Sequence, residues 1–234
     1  MAASFVPPSP PPFADDEVAA IRAVTPGCSG GLIHLNHAGS SLPAQVVLDA
    51  QLGHLQREAV IGGYEAAAEA ADRTRETHAS IARLIGAEPS EIARFGSAAE
   101  AWMAAFWSIP MAAGQRIIVH DHEYGANAIA FIHAAKTRGV VIDRLPSDEC
   151  GQVSVDALAE RLQRADDVAL VSLTHVPTNG GLVNPAAAIG RLTRAADVPF
   201  LVDACQSVGQ LNVDVDEIGC DFLSATGRKY LRGP

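Results

Sequence analysis

The C-terminal end of the chain contains a lysine in a setting suited to covalent chemistry. Lys229 is one of only two lysines among 234 residues, the other being Lys136. It follows a short apolar run and stands near Thr226 and Arg228, whose hydroxyl and guanidinium groups bind anions well. An amine held at a strand end beside an anion site is what a Schiff-base lysine needs for a phosphorylated aldehyde cofactor. The alternative is a solvated surface lysine, which is what we predict for Lys136.

Polar clusters follow the predicted buried strands, which alternate with helical segments of ten to fifteen residues. This alternation is typical of βαβ units, so we expect an α/β fold with a mostly parallel sheet. Parallel strands end at one edge, and open α/β sheets bind ligands along that edge. The predicted strands are 116–120, 140–145, 168–173, 199–202 and 222–223, and the polar clusters are 121–127, 174–181, 203–206 and 226–229.

Together the clusters supply the groups that a pyridoxal phosphate (PLP) site requires. Lys229 offers the amine, and Asp203 offers the acid that keeps the pyridine nitrogen protonated. Gln206 is predicted to donate to the phenolic oxygen, and Tyr124 or His122 to stack on the ring. The phosphate is expected at the helix start after Gly96, where free N–H groups attract anions. The predicted cofactor-binding residues are Ser97, Ala98, Ala99, Tyr124, Thr178, Asn179, Asp203, Gln206, Thr226, Arg228 and Lys229, and the catalytic residues are Lys229, Asp203 and Tyr124.

Two of these features also have simpler interpretations. Asp203 could cap a helix that begins near Ala204, and the Gly96–Ser97 turn could be an ordinary helix cap.

The N-terminal half is predicted to be more helical. We expect a Pro-rich tail over 1–14, an N-terminal segment over 15–95 and a PLP-binding large domain over 96–234, with 15–234 forming one globular unit. Within the N-terminal segment the pattern predicts helices at 15–24, 43–58 and 65–85, an edge strand at 32–35 and a polar turn at 36–41.

Composition excludes several classes of function. Hydrophobic residues make up 48% of the chain and its formal net charge is −10, which disfavours binding to nucleic acid or an anionic membrane. No apolar run reaches the roughly 20 residues that cross a bilayer. The four cysteines are widely spaced without a CxxC pair, so we expect free thiols in the cytoplasm and neither a disulfide framework nor a metal site.

Six segments resemble the motifs of the class-V aminotransferase and cysteine desulfurase family of fold-type-I PLP enzymes, over about residues 32–234. Two departures stand out: Ala99 replaces a hydroxyl residue of the family's phosphate loop, and Tyr124 replaces the histidine that stacks on the ring. Counted without a gap, Thr178 meets the family's asparagine, and Asn179 lies one position further on. The segments are 35–40 (LNHAGS), 96–100 (GSAAE), 123–127 (EYGAN), 174–185 (THVPTNGGLVNP), 203–207 (DACQS) and 226–229 with 233–234 (TGRK and GP).

The resemblance implies a three-layer αβα large domain, a homodimer and a small amino-acid substrate. The substrate amine would displace Lys229 to form an external aldimine, and the freed Lys229 would take the Cα proton. Asn36, His37 and Tyr64 are candidates for the substrate pocket, although His37 suits a turn equally well.

The sequences of these motifs most resemble the lyase and epimerase branch of the family, which includes the C–S lyase of ergothioneine synthesis and isopenicillin N epimerase-like enzymes. A C–S lyase is therefore expected, with an aminotransferase or an epimerase as alternatives. The family's small C-terminal domain, with its substrate-carboxylate arginine, is absent from this sequence. The chain is therefore expected to be a fragment or a short form, and a further alternative is a protein that binds PLP or a partner without turnover.

Overall fold

The structure is a computed structural model that describes residues 12–234. Most of the predicted Pro-rich tail lies outside the described residues. The helices are α1 (Asp15–Ala23), α2 (Gln45–Ile61), α3 (Gly63–Glu69), α4 (Ala71–Ile85), α5 (Ala98–Ser108), α6 (Gly125–Arg138), α7 (Val155–Leu162), α8 (Ala186–Ala195) and α9 (Val215–Ile218). The strands are β1 (Arg116–Val119), β2 (Val141–Arg144), β3 (Val168–Thr174), β4 (Phe200–Asp203) and β5 (Phe222–Ser224).

The five strands form one parallel sheet in the order β2-β1-β3-β4-β5. Strand β3 lies at the centre and is buried along its whole length, as expected for a strand covered on both faces. The register pairs Thr174 with Asp203 and Asp203 with Ser224, so the last residues of three strands lie side by side. The predicted parallel α/β sheet is confirmed.

Helices cover both faces of the sheet, because successive strand residues point to opposite sides. On one side, Ile117 and Leu201 pack with Trp102 and Phe106 of α5 and with the buried face of α6. On the other side, Phe200 and its neighbours pack against a second helical layer formed by α4, α7, α8 and α9. This is the expected three-layer αβα arrangement.

Four details of the predicted secondary structure are wrong. The edge strand at 32–35 is irregular, and Ile33 and Leu35 are exposed, because an apolar run without a partner strand forms no ladder. The helix predicted over 65–85 is two helices, α3 returning against α2 and α4 running to the sheet core. No helix begins near Ala204, and the short helix α9 was not predicted.

The N-terminal helices are poorly covered by the rest of the described chain. Helices α1 and α2 contain no buried residue. Large apolar side chains stand in solvent there, including Val46, Leu55 and Val60 of α2. Across residues 12–234, every helix is too short or too polar to cross a membrane.

Candidate active site

A cleft lies at the carboxyl edge of the sheet, with about 610 Å³ of space inside it and at its open mouth. Ten of the eleven predicted cofactor-binding residues line it, and Asn179 is the exception, since it is exposed on the loop after β3. Five lining residues were not predicted: Trp102, Asn127, Thr174, Val176 and Cys205.

Lys229 lines this cleft and is only 7% exposed, so its interpretation as a surface lysine is wrong. Its loop is held by the N-terminal segment, because both the backbone N–H and the hydroxyl of Ser41 donate to the carbonyl of Arg228, at 2.9 and 3.1 Å. Within the loop, the Gly233 N–H donates to the Gly227 carbonyl at 2.8 Å. Lys136, in contrast, is exposed near the end of α6, as expected.

Asp203 lies at the end of β4 and is buried at 6% exposure. One carboxylate oxygen accepts from the side-chain amide of Asn127 at 2.9 Å, and the other accepts from the Cys205 N–H at 3.0 Å. The residue therefore anchors a turn and does not cap a helix. Asn127 went unpredicted as a site residue, although its place one turn into α6, three residues after Tyr124, was a usable signal.

Gln206 is 3% exposed and joins the cleft to the N-terminal segment. Its amide N–H₂ donates to the hydroxyl of Thr178 and to the carbonyl of Ala38, both at 3.0 Å. Its amide oxygen is buried and has no hydrogen-bond partner among the described residues. Buried amide oxygens are nearly always paired, so this acceptor at the cleft wall suits a ligand hydroxyl.

The N-terminus of α5 forms another wall of the cleft. The Ser97 hydroxyl accepts from the Glu100 N–H at 3.2 Å, so Ser97 is indeed a helix cap. Ala98 and Ala99 follow in the first turn, where backbone N–H groups have no partner within a helix. With Thr226 and Arg228 lining the same cleft, the positive helix end and a guanidinium are available to one anion.

The aromatic and thiol groups of the cleft differ in their exposure to solvent and in their hydrogen bonding. Tyr124 precedes the first turn of α6 and is 48% exposed. Trp102 is 1% exposed, and its indole N–H has no partner in the part of the chain that the structure describes. Burial, together with the charge of Asp203, raises the pKa of the Cys205 thiol far above its ordinary value, so this group is a neutral thiol.

The three candidate substrate residues do not line the cleft. The Asn36 side chain accepts from the Gly39 N–H at 3.1 Å and so stabilises its own turn. His37 stacks on Tyr230, with ring centroids 6.4 Å apart, and Tyr230 lines an adjoining cleft that shares Val176, Thr178 and Gln206 with the first. Tyr64 is 92% exposed on α3, which packs against α2.

The comparisons with known proteins define the family. The Aminotransferase class-V family model matches residues 33–234, and the chain belongs to this family. A probable hercynylcysteine sulfoxide lyase of Mycobacterium tuberculosis is 32% identical over 91% of the chain and 51% of its own length. A probable cysteine desulfurase of Halobacterium salinarum is 28% identical over 93% of the chain and 55% of its own length.

Solved structures share the same fold. The apo cysteine desulfurase of Thermococcus onnurineus NA1 superposes with a TM-score of 0.80 at 20% identity, covering 92% of the chain and 54% of that structure. A C-DES mutant with glycine covalently linked to its PLP cofactor gives a TM-score of 0.82 at 22% identity, covering 91% and 57%. The predicted family and fold are confirmed, and the chain spans about half the length of the curated relatives it matches.

Proposed function

We propose that this chain is the cofactor-binding domain of a PLP-dependent enzyme that cleaves a C–S bond in a cysteine-type amino acid. One observation carries the proposal: the buried Lys229 lines the same cleft as the buried Asp203 and the N-terminus of α5. An amine, an acid and an anion site are the three groups that fix an aldehyde, a pyridine nitrogen and a phosphate.

The residues around the cleft fit this cofactor. Asp203 would hold the pyridine nitrogen, with Asn127 and the Cys205 N–H fixing its carboxylate. Gln206 was predicted to donate to the ring oxygen, but its amide N–H₂ already donates to Ala38 and Thr178, so its unpaired amide oxygen suits the ring hydroxyl as an acceptor. The phosphate would bind at the α5 N-terminus with Thr226 and Arg228, and Tyr124 would cover the ring. When bound, PLP supplies an electron sink for the carbanion at the substrate Cα.

The roles of the protein residues follow from their positions. Lys229 would bind the cofactor aldehyde through Nζ and, once released, would move the proton from the substrate Cα. Its burial limits the access of water to that amine. Asp203 would hold a proton at the ring nitrogen throughout. Tyr124 would orient the ring, in the position where the family places a histidine.

C–S cleavage is supported by the names of the relatives. Among the matched proteins are cysteine desulfurases and a hercynylcysteine sulfoxide lyase, and all of these names refer to sulfur-containing amino acids. One solved structure with the same fold is the cystine C–S lyase C-DES in complex with its product cysteine persulfide. The proposed substrate is therefore an amino acid with sulfur at Cβ.

Cofactor binding is tested with the two lysines of the chain. Apo protein titrated with PLP should develop the visible absorbance of a protein-bound Schiff base, and borohydride reduction should attach PLP covalently to Lys229. Lys229→Ala should abolish both signals, whereas Lys136→Ala, which removes an exposed lysine, should retain them. Equal labelling of the two variants would contradict the assignment of Lys229.

The reaction is tested with the PLP-loaded protein. Cysteine conjugates and sulfoxides should release pyruvate and ammonia in equal amounts. A racemised or transaminated amino acid without pyruvate would instead indicate an epimerase or an aminotransferase and would refute C–S cleavage.

A second candidate function is PLP binding without turnover by these 234 residues alone. It is favoured by the span of the chain, about half the length of its curated relatives. In that case Lys229 would bind PLP normally, but the chain would release no pyruvate from any of these substrates.

We further infer a homodimer in the cytoplasm. The exposed apolar residues of α2 support self-association, because large apolar patches mark interaction surfaces. The four cysteines are free thiols, which suits a reducing compartment. Sedimentation velocity of the chain should give a dimer, and a monomer at all concentrations would refute the dimer.

The division into a tail over 1–14, an N-terminal segment over 15–95 and a large domain over 96–234 remains a proposal.

A further inference from the structure

Glu123 is a buried carboxyl group beside the cleft that the proposed mechanism does not use. It lies between β1 and α6, and as a whole residue it is partly covered. One carboxylate oxygen, Oε2, accepts from the hydroxyl of Thr174 at 2.9 Å. The other, Oε1, is shielded from solvent and has no hydrogen-bond partner within residues 12–234. An ionised carboxylate left in this state would be strongly destabilising.

Among residues 12–234, no cation compensates the charge of this group. The charged group that acts on Glu123 is Asp203 on β4, and Asn127 of α6 lies between them, bonded to Asp203 at 2.9 Å and within reach of Glu123. In the same loop, Asp121 pairs with Arg144 at the surface, and His122 packs against His120.

The positive groups lie on a different segment. Lys229 and Arg228 line the cleft on the loop after β5, and neither forms an ion pair with Glu123 in the described part of the chain. Two carboxyl groups on either side of one neutral amide do not both ionise easily. In keeping with this, burial and then the charge of Asp203 raise the pKa of Glu123 to about 7, against the opposing effect of the Thr174 hydrogen bond and of the nearby Asn127 amide.

We propose that Glu123 is a positioning residue that works as a neutral acid, holding Thr174 and Asn127 in place so that Asp203 is the only anion beneath the ring nitrogen. The inference rests on the proposed function, because it concerns the residue that would hold that nitrogen. A second negative charge at Glu123 would raise the proton affinity of Asp203. The shared proton would then move from the ring nitrogen toward the carboxylate, and the electron sink would weaken.

The protonation state can be measured without any cofactor. The chain has twelve glutamates, and carbon-13 NMR of labelled glutamate carboxyls reports each titration separately. We expect one carboxyl to titrate near pH 7, well above the ordinary glutamate value of 4.5, and Glu123→Gln should remove that signal. Titration of all twelve carboxyls in the ordinary range in the wild-type chain would overturn the inference, whether or not any variant folds.

The positioning role is measured on the PLP-bound protein. The absorbance of the bound cofactor should show an inflection near pH 7 in the wild type. Glu123→Gln should lose this inflection while keeping PLP affinity within about threefold at pH 6, because glutamine replaces the neutral acid. The control Asp121→Asn removes an exposed carboxylate of the same loop and should retain the inflection.

The outcomes separate the two proposals. If PLP labels Lys229 but the inflection persists in Glu123→Gln, the inference about Glu123 fails and the proposed function stands. If PLP does not bind, the NMR titration still decides the state of Glu123.

Discussion

Replacing Glu123 by glutamine should stabilise the protein at alkaline pH and leave it unchanged at acid pH. The folded-state pKa is raised from the ordinary 4.5 to about 7, so between these values the folded chain holds a proton that the unfolded chain has released. In that window the free energy of unfolding falls as pH rises. The stability associated with the neutral acid is fully present below about pH 4.5 and is lost as pH rises through about 7.

The shift gives the size of the effect. At about 1.4 kcal/mol per pH unit, the wild type loses up to about 3 kcal/mol from this group. Glutamine has a similar shape, can accept from Thr174 in the same way and never ionises. For a domain of this size, a difference of about 3 kcal/mol corresponds to roughly 6–12 °C in Tm.

Thermal and urea denaturation at pH 4 and pH 8 measure the difference directly. At pH 4, below the ordinary pKa of 4.5, the two proteins should unfold within about 0.3 kcal/mol of each other, and at pH 8 the variant should be more stable. The control Asp121→Asn lacks an exposed carboxylate that pairs with Arg144, and its difference from the wild type should not grow toward pH 8. Parallel stability profiles for wild type and Glu123→Gln would refute the buried neutral acid.

Three further substitutions and one control, Gly53→Ala, test the packing and the site. Gly190→Ala should destabilise the fold by about 3 kcal/mol or more, because the added Cβ would lie 1.8 Å from the backbone oxygen of Ile218. The control Gly53→Ala, at an exposed helix position with open space around it, should stabilise the fold by about 0.5–1 kcal/mol. Similar Tm values for the two variants would contradict this prediction. Phe106→Ala, which empties a fully buried site between helix and sheet, should cost about 3–5 kcal/mol in urea unfolding, and a loss below 1 kcal/mol would contradict the core assignment. Asp203→Asn should weaken PLP binding roughly 10- to 100-fold in a fluorescence titration, since a charge-assisted hydrogen bond is worth about 1.5–3 kcal/mol, and unchanged affinity would refute its role.

Much of the candidate site could be read before the fold was known, for a physical reason. Lys229, Asp203 and Gln206 each follow a short apolar run, and the ends of parallel strands meet at one edge of a sheet. The position of a residue just after such a run is therefore enough to place it at the cleft. The same reasoning located the start of α5, since a helix N-terminus at that edge also faces the ligand side.

The site residues that the sequence did not predict correctly lie on helices, where the orientation of the helix determines which side chains reach the cleft. Trp102 and Asn127 are inside α5 and α6, and which of their faces meets the cleft depends on how those helices pack on the sheet. Tyr64 failed to reach the cleft for the same reason, because α3 packs against α2 and presents Tyr64 to solvent.

By itself the sequence determined the parallel α/β class, the order of the strands along the chain and the chemical types of the groups at their ends, since these depend on local periodicity and on residue type. Only the tertiary structure determined which of these polar groups lie next to the same side chain. Asn127 lies between Asp203 and Glu123, which are 80 residues apart in the chain, and the unpaired oxygen of Glu123 follows from that packing. Burial and proximity are properties of the folded chain, and they turned an ordinary glutamate of a strand-end cluster into a neutral acid beside the site.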